Sequence, residues 1–265
     1  MKRVLVPAVM TGLLGILLIV GLCAVAQEAP FVPGSYYVIS IGAVEAGTSE
    51  LIQTGRDNGF VVIVQTASGI SAYRGSEASS EAESDLIGAS SLLYVDGDRF
   101  LLRMSEPSFN YEVRPSATGY LIVLVPHQDL TADDLVNQIL IPLQQMGMVG
   151  KEVDMEYKTF VLNPDKTPPP PAGVAIDSNL YDLVTAPDWF AAASEKGMNR
   201  TGLRVEIVAE KVPGGSVPET FQPYVVSETD TLAKLLLPIE DLVSLARSAS
   251  IGYVRPPYQP QPASP

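Results

Sequence analysis

The chain has 265 residues, with 17 Lys and Arg against 30 Asp and Glu, a formal net charge of −13, and one Cys and one His. Such an acidic surface repels phosphate backbones and anionic headgroups, which argues against nucleic acid as a partner. A single histidine and a single cysteine exclude a multi-histidine metal centre, a CxxC zinc site and, once Cys23 is lost with a leader, a Cys-His nucleophile pair.

Lys2 and Arg3 precede an uncharged apolar run over 4–22, and Ala24-Val25-Ala26 supplies a small-x-small cleavage pattern. The arrangement predicts a secretory signal over 1–26 and export to a secreted, periplasmic or cell-surface location. Cleavage after Ala26 leaves 265 − 26 = 239 residues, room for two modest domains at about 100–200 residues each. The apolar run also suffices to cross a bilayer of ~30 Å at ~1.5 Å per residue, so a retained anchor is the alternative outcome. Leu22 stands where a lipid-modified Cys23 would want a small residue. Without Cys23 the chain has no thiol, so packing alone carries stability in an oxidising compartment. Losing Lys2 and Arg3 as well gives 15 − 30 = −15.

The expected fold class is α+β, in two small domains. Over 34–162 the pattern predicts an antiparallel sheet with a packed helix. Apolar, β-branched runs at 36–41 and 60–65 read as strands, with a short helix over 48–55 between them. Residues 75–85 alternate Ser, Ala and acids without a large side chain and read as a mobile loop. Asp96-Gly97 between 92–95 and 99–104 is a hairpin signal, and a second hairpin follows over 109–113 and 120–125. Thr131 caps a helix in which Leu135, Ile139, Leu143 and Met146 share a face and Pro142 forces a kink. A strand over 153–162 closes the domain.

Residues 163–176 hold four consecutive prolines, a polyproline II spacer expected to keep the halves apart. Two short amphipathic helices follow before Gly197, with Trp189 read as core.

From Leu203 the order reads strand, short helix, hairpin, helix, strand. Leu203, Val205, Ile207 and Ala209 alternate with mostly polar neighbours. Ser216-Val217-Pro218-Glu219 has the form of a capping box. Runs over 224–227 and 231–237 flank a polar turn, and Ile239, Leu242, Val243 and Ala246 share one helix face. A last strand over 251–255 meets Pro256-Pro257, which lack amide donors. This βαββαβ order over 177–257, with a Pro-rich tail at 258–265, predicts a ferredoxin-like module. Leu203-Arg-Val-Glu-Ile-Val, Leu235-Leu-Leu-Pro-Ile-Glu-Asp-Leu and Gly252-Tyr-Val-Arg-Pro-Pro together resemble the propeptide modules of secreted subtilisin-like serine peptidases. The likeness covers about a third of the chain. It implies an inhibitor or folding assistant whose last strand and tail engage a protease, with Tyr253, Val254 and Arg255 as partner contacts.

Catalytic chemistry is not expected. His127 in Val-Pro-His-Gln-Asp has no nucleophile context and reads as a strand-end residue. Asp96-Gly-Asp98 lacks the further spaced oxygens of a calcium loop, and Gly214-Gly215 is not a phosphate loop. Asn199-Arg-Thr201 matches a glycosylation sequon and is treated as incidental. No cofactor or metal is expected. Two readings stand: a propeptide-like regulator of a subtilisin-like protease, and a structural or interaction component of a cell-envelope or extracellular assembly. The exposure of 251–257 divides them.

Overall fold

A computed structural model describes residues 31–41, 47–66, 69–116, 119–148, 160–161, 169–186 and 188–258. The expected signal, most of the 153–162 strand, residues 163–168 of the linker and the tail from 259 lie outside these residues. The protein is α+β, built on two sheets.

The first sheet is assembled from β1 (Tyr37–Ile41), β2 (Val61–Thr66), β3 (Gly69–Arg74), β4 (Glu77–Ser79), β5 (Ser91–Asp96), β6 (Arg99–Ser105), β7 (Phe109–Ser116), β8 (Gly119–Pro126) and β9 (Phe160–Val161). Its order is β4-β3-β2-β5-β6-β7-β8-β1-β9. The expected purely antiparallel sheet needs correction, because β2 and β5 pair in parallel. After the β2-β3-β4 meander the chain returns through α2 (Glu83–Leu86) and delivers β5 to the free edge of β2. Residues 75–85 are therefore not a loop. Arg56 donates to the carbonyls of Gly75 and Ser76, which holds the β3-β4 turn, and Leu86 anchors the return in the core. In the β5-β6 hairpin Asp96 pairs with Arg99, so the turn residues are Gly97 and Asp98, and only Gly97 has positive φ.

Successive strand residues face opposite sides, and here both sides are apolar. Val62, Leu93, Val95, Phe100 and Leu102 form one core with α1 (Thr48–Asp57) and the helix that follows β8. Gly55 permits α1 to lie close, since a Cβ there would come within 2.6 Å of the Leu93 side chain. That second helix, α3, comprises Ala132–Leu135, a π-helical stretch Val136–Leu140, and Ile141–Gln145. Thr131 and Asp134 close a capping box at its start. Pro142 offers no amide to the preceding turn, and the π-helical stretch lies just before it. Leu135, Ile139 and Leu143 are buried on one face, as their spacing predicts.

The second half contains α4 (Ser178–Thr185), α5 (Trp189–Glu195), β10 (Arg200–Thr201), β11 (Arg204–Lys211), β12 (Val225–Glu228), β13 (Leu232–Pro238), α6 (Leu242–Ala246) and β14 (Ile251–Arg255). The long strands lie in the order β14-β11-β13-β12, all antiparallel, with β10 beside the start of β11. The first expected helix is a 3-10 turn, Glu219–Tyr224, without the side-chain capping bond that Ser216 suggested. Pro223 inside it removes an amide donor and prevents a longer α-helix. Ahead of α6 a 3-10 turn covers Ile239–Asp241, and Leu242, Leu245 and Ala246 are buried.

The halves are not held apart. Val61, Ile63, Leu92, Tyr94 and Leu101 from the other face of the first sheet share one core with Trp189, Phe190, Leu203, Val205 and Leu242. Hydrophobic burial explains the preference: left apart, each half would expose this face to water at about 25 cal/mol per Å².

Candidate functional site

The predicted partner residues sit on β14, which has a neighbour on both edges. Its inner edge pairs with β11, Val254 opposite Ala209 and Tyr253 opposite Glu210. Its outer edge is bridged at Val254, whose amide donates to Ala175 O at 2.9 Å and whose carbonyl accepts from Asp177 N at 2.8 Å. Val254 is 0% exposed and part of the core. Tyr253 is exposed, while Arg255 Nε donates to Glu210 Oε1 at 2.7 Å and its guanidinium lies 3.8 Å from the Tyr258 ring centre. The structure thus keeps the three in one strand but places only Tyr253 openly on the surface. His127 is an exposed strand-end residue, its amide bonded to Ser108 O at 2.8 Å.

What the sequence did not reveal is a seam of arginines between the halves. Arg204 on β11 grips Asp96 at the end of β5 with both Nε and Nη2, the former at 2.6 Å. Its guanidinium also stacks 4.9 Å from the Tyr224 ring centre. Arg99 on β6 donates to Tyr224 Oη and Asp241 Oδ2, each at 2.7 Å, and lies 3.1 Å from Glu240. Arg200 on β10 pairs with Glu83 on α2. Arg103 on β6 holds Glu112 at 2.7 Å and Asp188 at 3.0 Å, and Arg114 on β7 donates to Ala186 O at 2.9 Å. Phe190 receives two cations, Arg200 at 4.3 Å and Arg103 at 5.1 Å from its ring centre. Forked guanidinium-carboxylate pairs fix orientation as well as contact.

At one end of this seam lies a cleft of about 350 Å³. Its lining includes the charged Arg103, Glu112 and Asp188, the polar Ser105 and Asn110, and the apolar Leu92 and Val123. Asp188 is placed by its other oxygen, which caps α5 by accepting from Ala191 N at 2.9 Å. Glu112 is 7% exposed, and its Oε2 has no hydrogen-bond partner although Oε1 is held by Arg103. Burial raises the Glu112 pKa to about 7, and Asp188 adds to the rise, against the lowering by Arg103 and Arg114. Burial outweighs a 2.7 Å ion pair here because one oxygen is desolvated without compensation. Burial likewise raises Glu240 and Asp241 and lowers Arg114.

The Glu112 shift has a definite sign. The folded state keeps a proton that the unfolded chain loses near the ordinary value of 4.5, so this group's contribution to stability falls as pH rises to about 7. Glu112→Gln removes the dependence. At about 1.4 kcal/mol per pH unit of separation, the variant's stability relative to wild type should improve by roughly 3 kcal/mol between pH 4.5 and pH 8. Denaturant melts at the two pH values measure this. A difference that does not change with pH would mean that Glu112 titrates like a surface carboxylate.

Among the described residues no group of His, Cys, Asp or Glu is arranged to hold a metal ion, and no helix is long and apolar enough to cross a membrane. The alternation of Asn110, Glu112 and Arg114 with Phe109, Tyr111 and Val113 is the pattern of a strand with one wet face. The hint that this face is covered lay in the neighbouring strand, where Leu101 interrupts Arg99 and Arg103 on the same side. No protein-family model, curated protein or solved structure matches this chain.

Proposed function

We propose that this is a non-catalytic, exported binding protein that serves as an interaction component of a cell-envelope or extracellular assembly. The observation that supports this reading over the protease-directed one is β14. A segment that fills a protease cleft must present its own backbone edge to the enzyme, whereas both edges of β14 are already hydrogen-bonded around Val254. Among the described residues β12 pairs with β13 alone, which leaves one of its backbone edges open, and it carries Val226 at 60% exposure. On this reading the protein migrates on native gels, after gentle extraction from its envelope fraction, well above the 28.3 kDa of the full 265-residue chain. Migration as a free monomer, together with inhibition of a subtilisin-like protease by the purified protein, would reverse the assignment.

A second reading is favoured by the strand order of the second half. Four antiparallel strands in the order β14-β11-β13-β12, with connections between the first and second and between the third and fourth, suit a ferredoxin-like βαββαβ module of the kind the propeptide resemblance implies. The protease ligand would then be the chain from Pro256 onward, with Tyr253 and Arg255 beside it and Val254 as the internal support.

A further inference from the structure

On the seam between the halves lies a second pocket, of about 270 Å³. The first sheet supplies one side of it through Leu101 on β6, Arg114 on β7 and Leu121 on β8. The second half supplies the rest, from α4, α5, α6, the residue ahead of β11 and the 3-10 turn before α6. Leu101, Leu183, Trp189 and Leu203 are buried, and Val184, Ile239 and Val243 are half-buried and apolar as well.

We propose that this pocket binds a small, uncharged apolar molecule. The charged residues in its lining argue for an uncharged guest. They are Arg114 and Glu240, of opposite sign, and each is engaged within the protein. Arg114 donates to Ala186 O at 2.9 Å, and Glu240 Oε1 lies 3.1 Å from Arg99 Nε. An ion entering here would meet a like charge beside the opposite one and would lose its hydration without a dedicated partner. Burial lowers the Arg114 pKa and raises that of Glu240, each towards its neutral form, as expected of surroundings poor in water. Ordered water is a poor occupant of such walls, because it needs two to four polar partners, whereas apolar cavities stay dry and accept apolar guests. The volume lies just below the usual range for ligand pockets, about 300–1,000 Å³, so the guest is small. Walls drawn from both halves also mean that a bound molecule stabilises their docking, since it binds the docked arrangement alone.

Trp189, the chain's single tryptophan, lines the pocket and reports on it directly. Toluene titrated into the purified protein should change the Trp189 emission saturably. Affinity should rise about fourfold from benzene to toluene and about fourfold again to ethylbenzene, the gain expected for each added carbon that is buried. Protonated benzylamine and benzoate, which carry the same ring with a charge of either sign, should bind at least tenfold more weakly than toluene. Val243→Phe enlarges a half-buried wall residue into the space and should weaken toluene at least tenfold. Where that variant folds poorly, the series of hydrocarbons and charged rings on the wild-type protein decides. The proposal is overturned by an absence of any saturable change at Trp189, by affinity that does not grow along the hydrocarbon series, by equal or tighter binding of benzylamine or benzoate, or by unchanged toluene affinity in a folded Val243→Phe protein.

Discussion

Trp189→Ala is expected to lower the unfolding free energy by about 3–5 kcal/mol, the range for removing a large aromatic side chain from a packed core. Trp189 is 1% exposed and its ring lies tilted 4.1 Å, centre to centre, from Phe190, which in turn lies 5.1 Å from Tyr94 on β5. Its loss opens space where α5 meets the face of the first sheet. The damage should therefore reach both halves. Amide hydrogen exchange should show faster opening at Leu92 and Leu101, on β5 and β6, as well as at Leu203, just ahead of β11, and at Val205 on it. Tm should fall by several degrees, since about 1 kcal/mol is worth roughly 2–4 °C in a chain of this size. A loss confined to the second half, with β5 and β6 protected as before, would show that the shared core contributes nothing to the first sheet.

Local patterns in the sequence located most elements. The Thr131 cap, the apolar face of α3 and the alternation in β11 are set by neighbours three or four positions away, or two in a strand, so the chain itself displays them. Residues 75–85 misled because their side chains are small; what orders them is Arg56, 19 and 20 residues away, reaching the carbonyls of Gly75 and Ser76. The parallel β2-β5 pair was hidden for a similar reason, since hairpin logic joins only adjacent strands.

The candidate site was less legible still. Arg103, Glu112 and Asp188 are scattered through the sequence, and each alone resembles an ordinary surface charge. Only the docking of α5 on the sheet brings Asp188 to Arg103 and the buried Glu112. Conversely, Tyr253, Val254 and Arg255 stood out because they end a strand before a proline pair, and the segment 175–177 that bridges Val254 gave no strand signal of its own. The proline-rich stretch suggested separation by its stiffness, yet stiffness sets reach and not distance. Chain on its far side folds back over the sheet because both surfaces are apolar.

The second large effect is expected at Arg204. Its forked contact with Asp96 joins β11 to the end of β5, with the carboxylate buried. Arg204→Ala leaves Asp96 desolvated and unpaired, and breaking one partner of a buried pair costs about 3–5 kcal/mol. Asp96→Ala removes the same contact from the other side and strands a guanidinium that keeps only its stacking on Tyr224. Removing both should cost little more than either alone, because the unpaired charge that makes each single change severe is then gone. The double-mutant cycle between positions 96 and 204, read from denaturant unfolding, is thus the most direct test of the packing of the two halves into one body. A coupling energy of about 3 kcal/mol, the top of the range for residues in contact, is the predicted result. Additive single effects with coupling near zero would contradict it, since residues that never meet cannot depend on one another.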